Sequence, residues 1–177
     1  MLKTSYHFIF LITFVLLFFT NSLANISHEN DFAISYDDSI SKKSNPKVDA
    51  IISYAKSFLG VPYRYGGTTP SGFDCSGFIN YIFGNFGFSL VRTSYGLAEL
   101  GETIALSEIQ PGDLMFFKGS NVNSTSVGHV AMVIDVTIDE IKFIHSANGG
   151  VQITNFKKNK YYIQRYVKTK RLDYGGY

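Results

Sequence analysis

One cysteine, Cys75, stands in 177 residues, and what the chain lacks narrows its chemistry before any motif is considered. A lone thiol cannot form an internal disulfide, which excludes a cross-linked secreted scaffold. With no second cysteine there is no close-spaced ligand pair of the kind structural zinc sites use. The net charge of +2 is too small to point to a nucleic-acid partner. No apolar run reaches the roughly 20 residues that a membrane span needs. No internal repeat is present, and 177 residues suit one domain with a real core but not two.

The N-terminus reads as an export signal. Lys3 and His7 precede the apolar run Phe8 to Phe19, and Ser22-Leu23-Ala24 places small residues at a cleavage point after Ala24. A retained anchor is the alternative, but the run is short for one. No cysteine follows the cut, so an N-terminal lipid anchor is excluded. The expected organisation is a signal peptide over 1–24, a polar leader over 25–45, a folded domain over 46–172 and a tail over 173–177. In an exported protein a leftover thiol is a candidate reactive group. A buried structural cysteine is the competing explanation.

Within the domain, helical signals come first. Asn45-Pro46 supplies an N-cap and a proline at the first helical position, and Val48, Ile51, Ile52, Ala55, Phe58 and Leu59 recur at helical spacing up to Gly60. Asp74 is positioned to cap a short, mostly buried helix running from Cys75 to Phe83. That would set the thiol at a helix N-terminus, where unpaired N–H groups favour the thiolate. A further short helix is expected over Tyr95 to Leu100, capped by Thr93 or Ser94.

Strand signals follow. Leu114 to Phe117, Gly128 to Ile134, Ile141 to His145, Val151 to Thr154 and Tyr166 to Lys170 read as strands, with Asn148-Gly149-Gly150 as a hairpin turn. Helices before an antiparallel meander predict an α+β domain. Lys118 to Val127 is a long polar loop. Seven basic residues crowd the stretch from Lys157 to Arg171. They suit either a patch for an anionic polymer such as a cell wall or a solvated strand face.

Of four histidines, only His129 and His145 fall in the folded region. Both stand on what read as neighbouring strands, so their rings can approach across the pair. A thiol, a base and an orienting side chain make up the generalised nucleophilic triad. Packing histidines and a metal site formed from Cys75, His129, His145 and Asp113 are the alternatives.

Six blocks occur in order: Tyr63-Arg64-Tyr65-Gly66-Gly67, Phe73-Asp74-Cys75-Ser76-Gly77-Phe78, Arg92-Thr93-Ser94, Pro111-Gly112-Asp113-Leu114, Gly128-His129-Val130 and Phe143-Ile144-His145-Ser146-Ala147. Together they resemble the NlpC family of bacterial cell-wall cysteine peptidases, in its small single-domain form, over Val48 to Leu172. The resemblance implies a papain-like α+β fold, with the nucleophile at a helix N-terminus packed on an antiparallel sheet. It implies Cys75 as nucleophile, His129 as base and His145 as the third residue. Tyr63 would assist the oxyanion, while Asp74 and Ser76 match positions that meet a stem-peptide amine in some members. Arg92 is a candidate for binding a substrate carboxylate.

The implied reaction is hydrolysis of peptidoglycan stem or cross-link amides next to meso-diaminopimelate, by a monomer in the periplasm or cell envelope, or secreted. No cofactor, metal, nucleic acid or membrane anchor after cleavage is expected. A non-catalytic wall-binding module of the same fold and a thiol acyltransferase are the rival readings. The 118–127 loop is longer than the family pattern suggests, and Ala131 stands where glycine is common.

Overall fold

The computed structural model describes residues 45–175. The export signal, nearly all of the polar leader and the last two residues lie outside the described residues. Among the described residues, no helix is long and apolar enough to cross a membrane.

The first helix, α1 (Pro46–Lys56), begins as its sequence dictates: the Asn45 side chain accepts from the backbone N–H groups of Lys47 and Val48. Val48, Ile51, Ile52 and Ala55 form its buried stripe. The helix ends at Lys56, before Gly60, because Ser57 caps it and the next residues form turns. Two short strands, β1 (Thr68–Thr69) and β2 (Gly72–Phe73), pair as a small hairpin. It delivers the chain to α2 (Cys75–Gly84), in which Phe78, Ile79, Ile82 and Phe83 are fully buried. A single turn, α3 (Ser94–Leu97), is capped by Thr93 and stops short of the expected Leu100.

The rest of the domain is one antiparallel sheet of β3 (Glu102–Ile104), β4 (Leu114–Lys118), β5 (Val127–Val136), β6 (Ile141–Ala147), β7 (Gly150–Asn155) and β8 (Tyr166–Arg171). Its strand order is β3-β8-β4-β5-β6-β7. Alternation along β4 divides the core: Leu114 and Phe116 face the α1 and α2 helices, whereas Met115 and Phe117 join Ala131, Val133, Phe143 and Phe156 on the other face. Both faces are covered, so β4 reads as a continuous apolar run. A short helix, α4 (Lys160–Arg165), precedes β8. Neither α4 nor β3 was expected.

The basic C-terminal stretch is divided: Lys157, Lys158 and Lys160 are exposed, whereas Arg165, Lys168, Lys170 and Arg171 are at least partly buried. Arg171 forms a two-pronged pair with the buried Asp113, at 2.7 and 2.8 Å. Lys168 pairs with Glu99, Lys158 with Glu140, and Lys170 donates to Gly101 O and the Thr103 hydroxyl. These charges fasten β8 and its neighbours to the sheet.

Candidate active site

Asp74 caps α2 by accepting from the Gly77 N–H at 2.7 Å, which places Cys75 in the first helical turn. The cap is itself clamped. Arg92 reaches both Asp74 oxygens and also donates to Ser76 Oγ at 2.8 Å, while Ser76 Oγ donates to Asp74 Oδ1 at 3.3 Å. The pair holds the Asp74 carboxyl below its ordinary range even though burial alone would raise it. Arg92 therefore does bind a carboxylate, and that carboxylate belongs to the protein.

Gly77 explains why glycine follows Cys75-Ser76. A Cβ there would stand 2.0 Å from the Gly67 carbonyl oxygen, so the hairpin loop can lie against the helix N-terminus only over a glycine. The same carbonyl accepts from the Asp74 N–H at 3.0 Å. Tyr63 enters from this loop: its neighbour Arg64 donates to Phe73 O at 2.9 Å, holding the tyrosine alongside the residues that lead into Cys75. Burial, then the proximity of Cys75 and Asp74, pushes the Tyr63 hydroxyl up, so it stays protonated as a donor.

The thiol behaves differently from the helix-terminus expectation. N–H groups of Val130, Ser76 and Cys75 itself favour the thiolate, but burial outweighs them and the Asp74 charge adds to it, so the net shift is upward. The resting group is a thiol.

Immediately before Val130 on β5 stands His129. The β4–β5 register sets His129 opposite Phe117, and the ring packs between Phe117 and Tyr162 with centroids 6.1 and 5.9 Å away. His129 Nε2 lies 2.9 Å from His145 Nδ1, and His145 Nε2 lies 3.0 Å from the Thr154 hydroxyl. The Tyr162 hydroxyl comes within 3.3 Å of the same His145 Nδ1. Desolvation pushes His129 down to about 4, and desolvation with the neighbouring ring pushes His145 down to about 2, so both rings are neutral at neutral pH. Next to His145, the buried Ser146 hydroxyl donates to Phe73 O at 2.8 Å and ties the histidine strand to the backbone two residues before Cys75.

A cleft of about 500 Å³ opens beside His129. Tyr63 stands at its wall, with Lys118, Gly119 and Ser120 from the long loop, Asn148, Gly149 and Gln152 from the β6–β7 hairpin, and Tyr161 and Tyr162 from α4. Arg165 binds α4 to the loop by donating to Gly119 O and Ser120 O while stacking on the Tyr161 ring. Among the described residues, no group of three or more His, Cys, Asp or Glu is placed to hold a metal ion. Asp113, considered as a fourth ligand, is engaged by Arg171.

The sequence profile of the NlpC/P60 family matches residues 60–171. The chain belongs to the NlpC/P60 family. As an NlpC/P60 domain it is 38% identical over 126 residues to the probable peptidoglycan endopeptidase LytE of Bacillus subtilis, covering 71% of this chain and 34% of that protein. It is 32% identical over 156 residues to the probable endopeptidase NlpC homolog of Haemophilus influenzae, covering 86% and 79%. It thus spans about a third of LytE's length. Among solved structures, a Bacillus cereus NlpC/P60 family protein superposes with a TM-score of 0.63 at 35% identity, over 72% of this chain and 41% of that one. The papain-like α+β fold is shared.

In this NlpC/P60 domain the residues singled out from sequence fall into separate groups, and Cys75, packed against the core cluster that contains Val130, is not among the residues that line the cleft. Asp74, Ser76 and Arg92 form one network at the helix N-terminus, Tyr63 stands on the cleft wall, and the histidines are in hydrogen-bond contact. Sequence reading missed Thr154, Tyr162 and the cleft residues of α4. Asn159, which caps α4 through its side chain, was the available signal.

Proposed function

We propose that the chain is a peptidoglycan hydrolase, a cysteine endopeptidase cutting stem-peptide or cross-link amides next to meso-diaminopimelate. The observation that carries this is the relay from His129 through His145 to Thr154, which begins at the residue next to Val130 in the core cluster against which Cys75 packs. The reading is also consistent with LytE, a relative named a probable peptidoglycan endopeptidase.

In this mechanism His129 carries its hydrogen on Nε2 and donates to His145 Nδ1, while His145 carries its hydrogen on Nε2 and donates to Thr154. That choice of tautomers leaves His129 Nδ1 free to take the thiol proton. The sulfur attacks the scissile carbonyl carbon, and the Cys75 N–H and Tyr63 hydroxyl hold the resulting oxyanion. His129 then passes its proton to the leaving amine as the C–N bond breaks, giving a thioester. Water activated by His129 hydrolyses the thioester and restores the thiol. The protein acts as a monomer, exported on removal of residues 1–24 and working in the periplasm or cell envelope. Mass spectrometry of purified peptidoglycan after incubation with wild type and Cys75→Ala tests the reading. New stem-peptide or cross-link fragments with wild type alone are expected, and fragments from both proteins, or from neither, would overturn it.

A further inference from the structure

Lys118 is the only lysine or arginine on the cleft wall, and no carboxylate lines the cleft with it. It is half-buried at the end of β4, and among the described residues its ammonium makes one hydrogen bond, from Nζ to Val122 O at 3.0 Å. An ammonium has three donors, so two remain for a ligand. The other cation near this wall, Arg165, is already engaged by Gly119 O, Ser120 O and Tyr161 O. His129 contributes no charge, since burial keeps its ring neutral. The cleft wall therefore carries a single cation, without a counter-charge, among neutral hydrogen-bonding groups such as Asn148, Gln152 and Tyr161. Such a centre is complemented by an anion.

The chemistry of the site says which half of a substrate brings that anion. The base that gives its proton to the leaving amine must face the amine-side half of the scissile amide. His129 lines the cleft that also contains Lys118, so this cleft receives the amine-side half. We infer that Lys118 forms a subsite for a free carboxylate on the amine-side half of the scissile amide, the carboxylate of the diamino acid in the proposed substrate. The inference rests on the proposed function and adds the group that selects the leaving half.

The test uses the full chain and two soluble stem-peptide substrates that differ only in the diamino acid, one with its free carboxylate and one with that group as carboxamide. Wild type should cleave the carboxylate form with a kcat/KM higher by about tenfold to a hundredfold, the range of one charge-assisted hydrogen bond. Lys118→Met and Lys118→Gln should bring the ratio close to one, and Lys118→Arg should keep most of it. Two neutral variants guard against one that fails to fold, and the wild-type ratio stands without either. Equal cleavage of both substrates by wild type, or a ratio that survives in a folded neutral variant, overturns the inference while leaving the peptidase reading intact. No cleavage of either substrate by wild type overturns both.

Discussion

His129 Nε2 stands 2.9 Å from His145 Nδ1, with the two rings at 85° to each other. In the proposed mechanism this placement makes His145 an acceptor for His129 rather than a competitor for the thiol. Replacing His145 with Ala removes that acceptor and should lower kcat by about 10²-fold or more, within the range typical of acid–base groups. His145→Asn, which can still accept, should lose less. Steady-state kinetics on a soluble muropeptide checks the order, and equal losses would remove His145 from the relay.

The two rings also set a pH window. The unfolded chain protonates its histidines near pH 6.5, whereas the folded domain holds His129 neutral down to about 4 and His145 to about 2. Below about pH 6.5 the unfolded state binds more protons, so the associated stability is present above that pH and is lost as pH falls. Tm should drop between pH 7 and 4.5, with a shallower slope in the His129→Asn, His145→Asn double variant. Equal slopes would sink this account. For the same reason the acid limb of kcat/KM should lie below pH 6.

The raised thiol gives a complementary result. Because burial outweighs the N–H donors around Cys75, alkylation by iodoacetamide should accelerate up to and beyond pH 9 in the free protein. A plateau reached by pH 7 would mean a resting thiolate. Cys75→Ala should abolish peptide release while leaving the fold and its Tm nearly unchanged.

Arg92 pins a carboxylate of which the side chain is only 12% exposed. Arg92→Met leaves Asp74 buried without its partner, and should cost about 1–3 kcal/mol, less than a fully buried pair because the guanidinium is partly solvated. Asp74→Asn, which keeps a capping oxygen, should cost less. Urea titration of both variants separates them, and an unchanged midpoint for Arg92→Met would contradict the clamp.

Gly77→Ala should be the most disruptive single change near the thiol. Its Cβ would meet backbone rather than a movable side chain, so about 3 kcal/mol or more is expected from overpacking. A Tm equal to wild type would show that the loop can yield.

Much of this arrangement was legible because local chemistry repeats a simple rule. Asn45-Pro46 and Asp74 announce helix starts through side chains that satisfy N–H groups within three residues. β4 and the middle of β5 announce themselves because both sheet faces are covered and the runs there are apolar, whereas β6 shows itself by alternation. Two of the elements that escaped notice bury little: α4 has no buried residue, and β3 buries one of three, while β1 and β2 are too short, at two residues each, to show a period. The Arg92 clamp escaped for another reason. Its partner lies 18 residues away, and no periodicity relates them. Thr154 stands on β7, at the end of the strand order, where a threonine is ordinary until His145 turns its Nε2 toward it.

The Ser146 hydroxyl closes onto Phe73 O across 73 residues of chain. The bond can form only once β6 has come against the chain that leads into α2, and contacts of such long range are slow to form. A chain that has not yet assembled its sheet thus carries the thiol but has no relay to act on it. Latency before folding is a property of the topology.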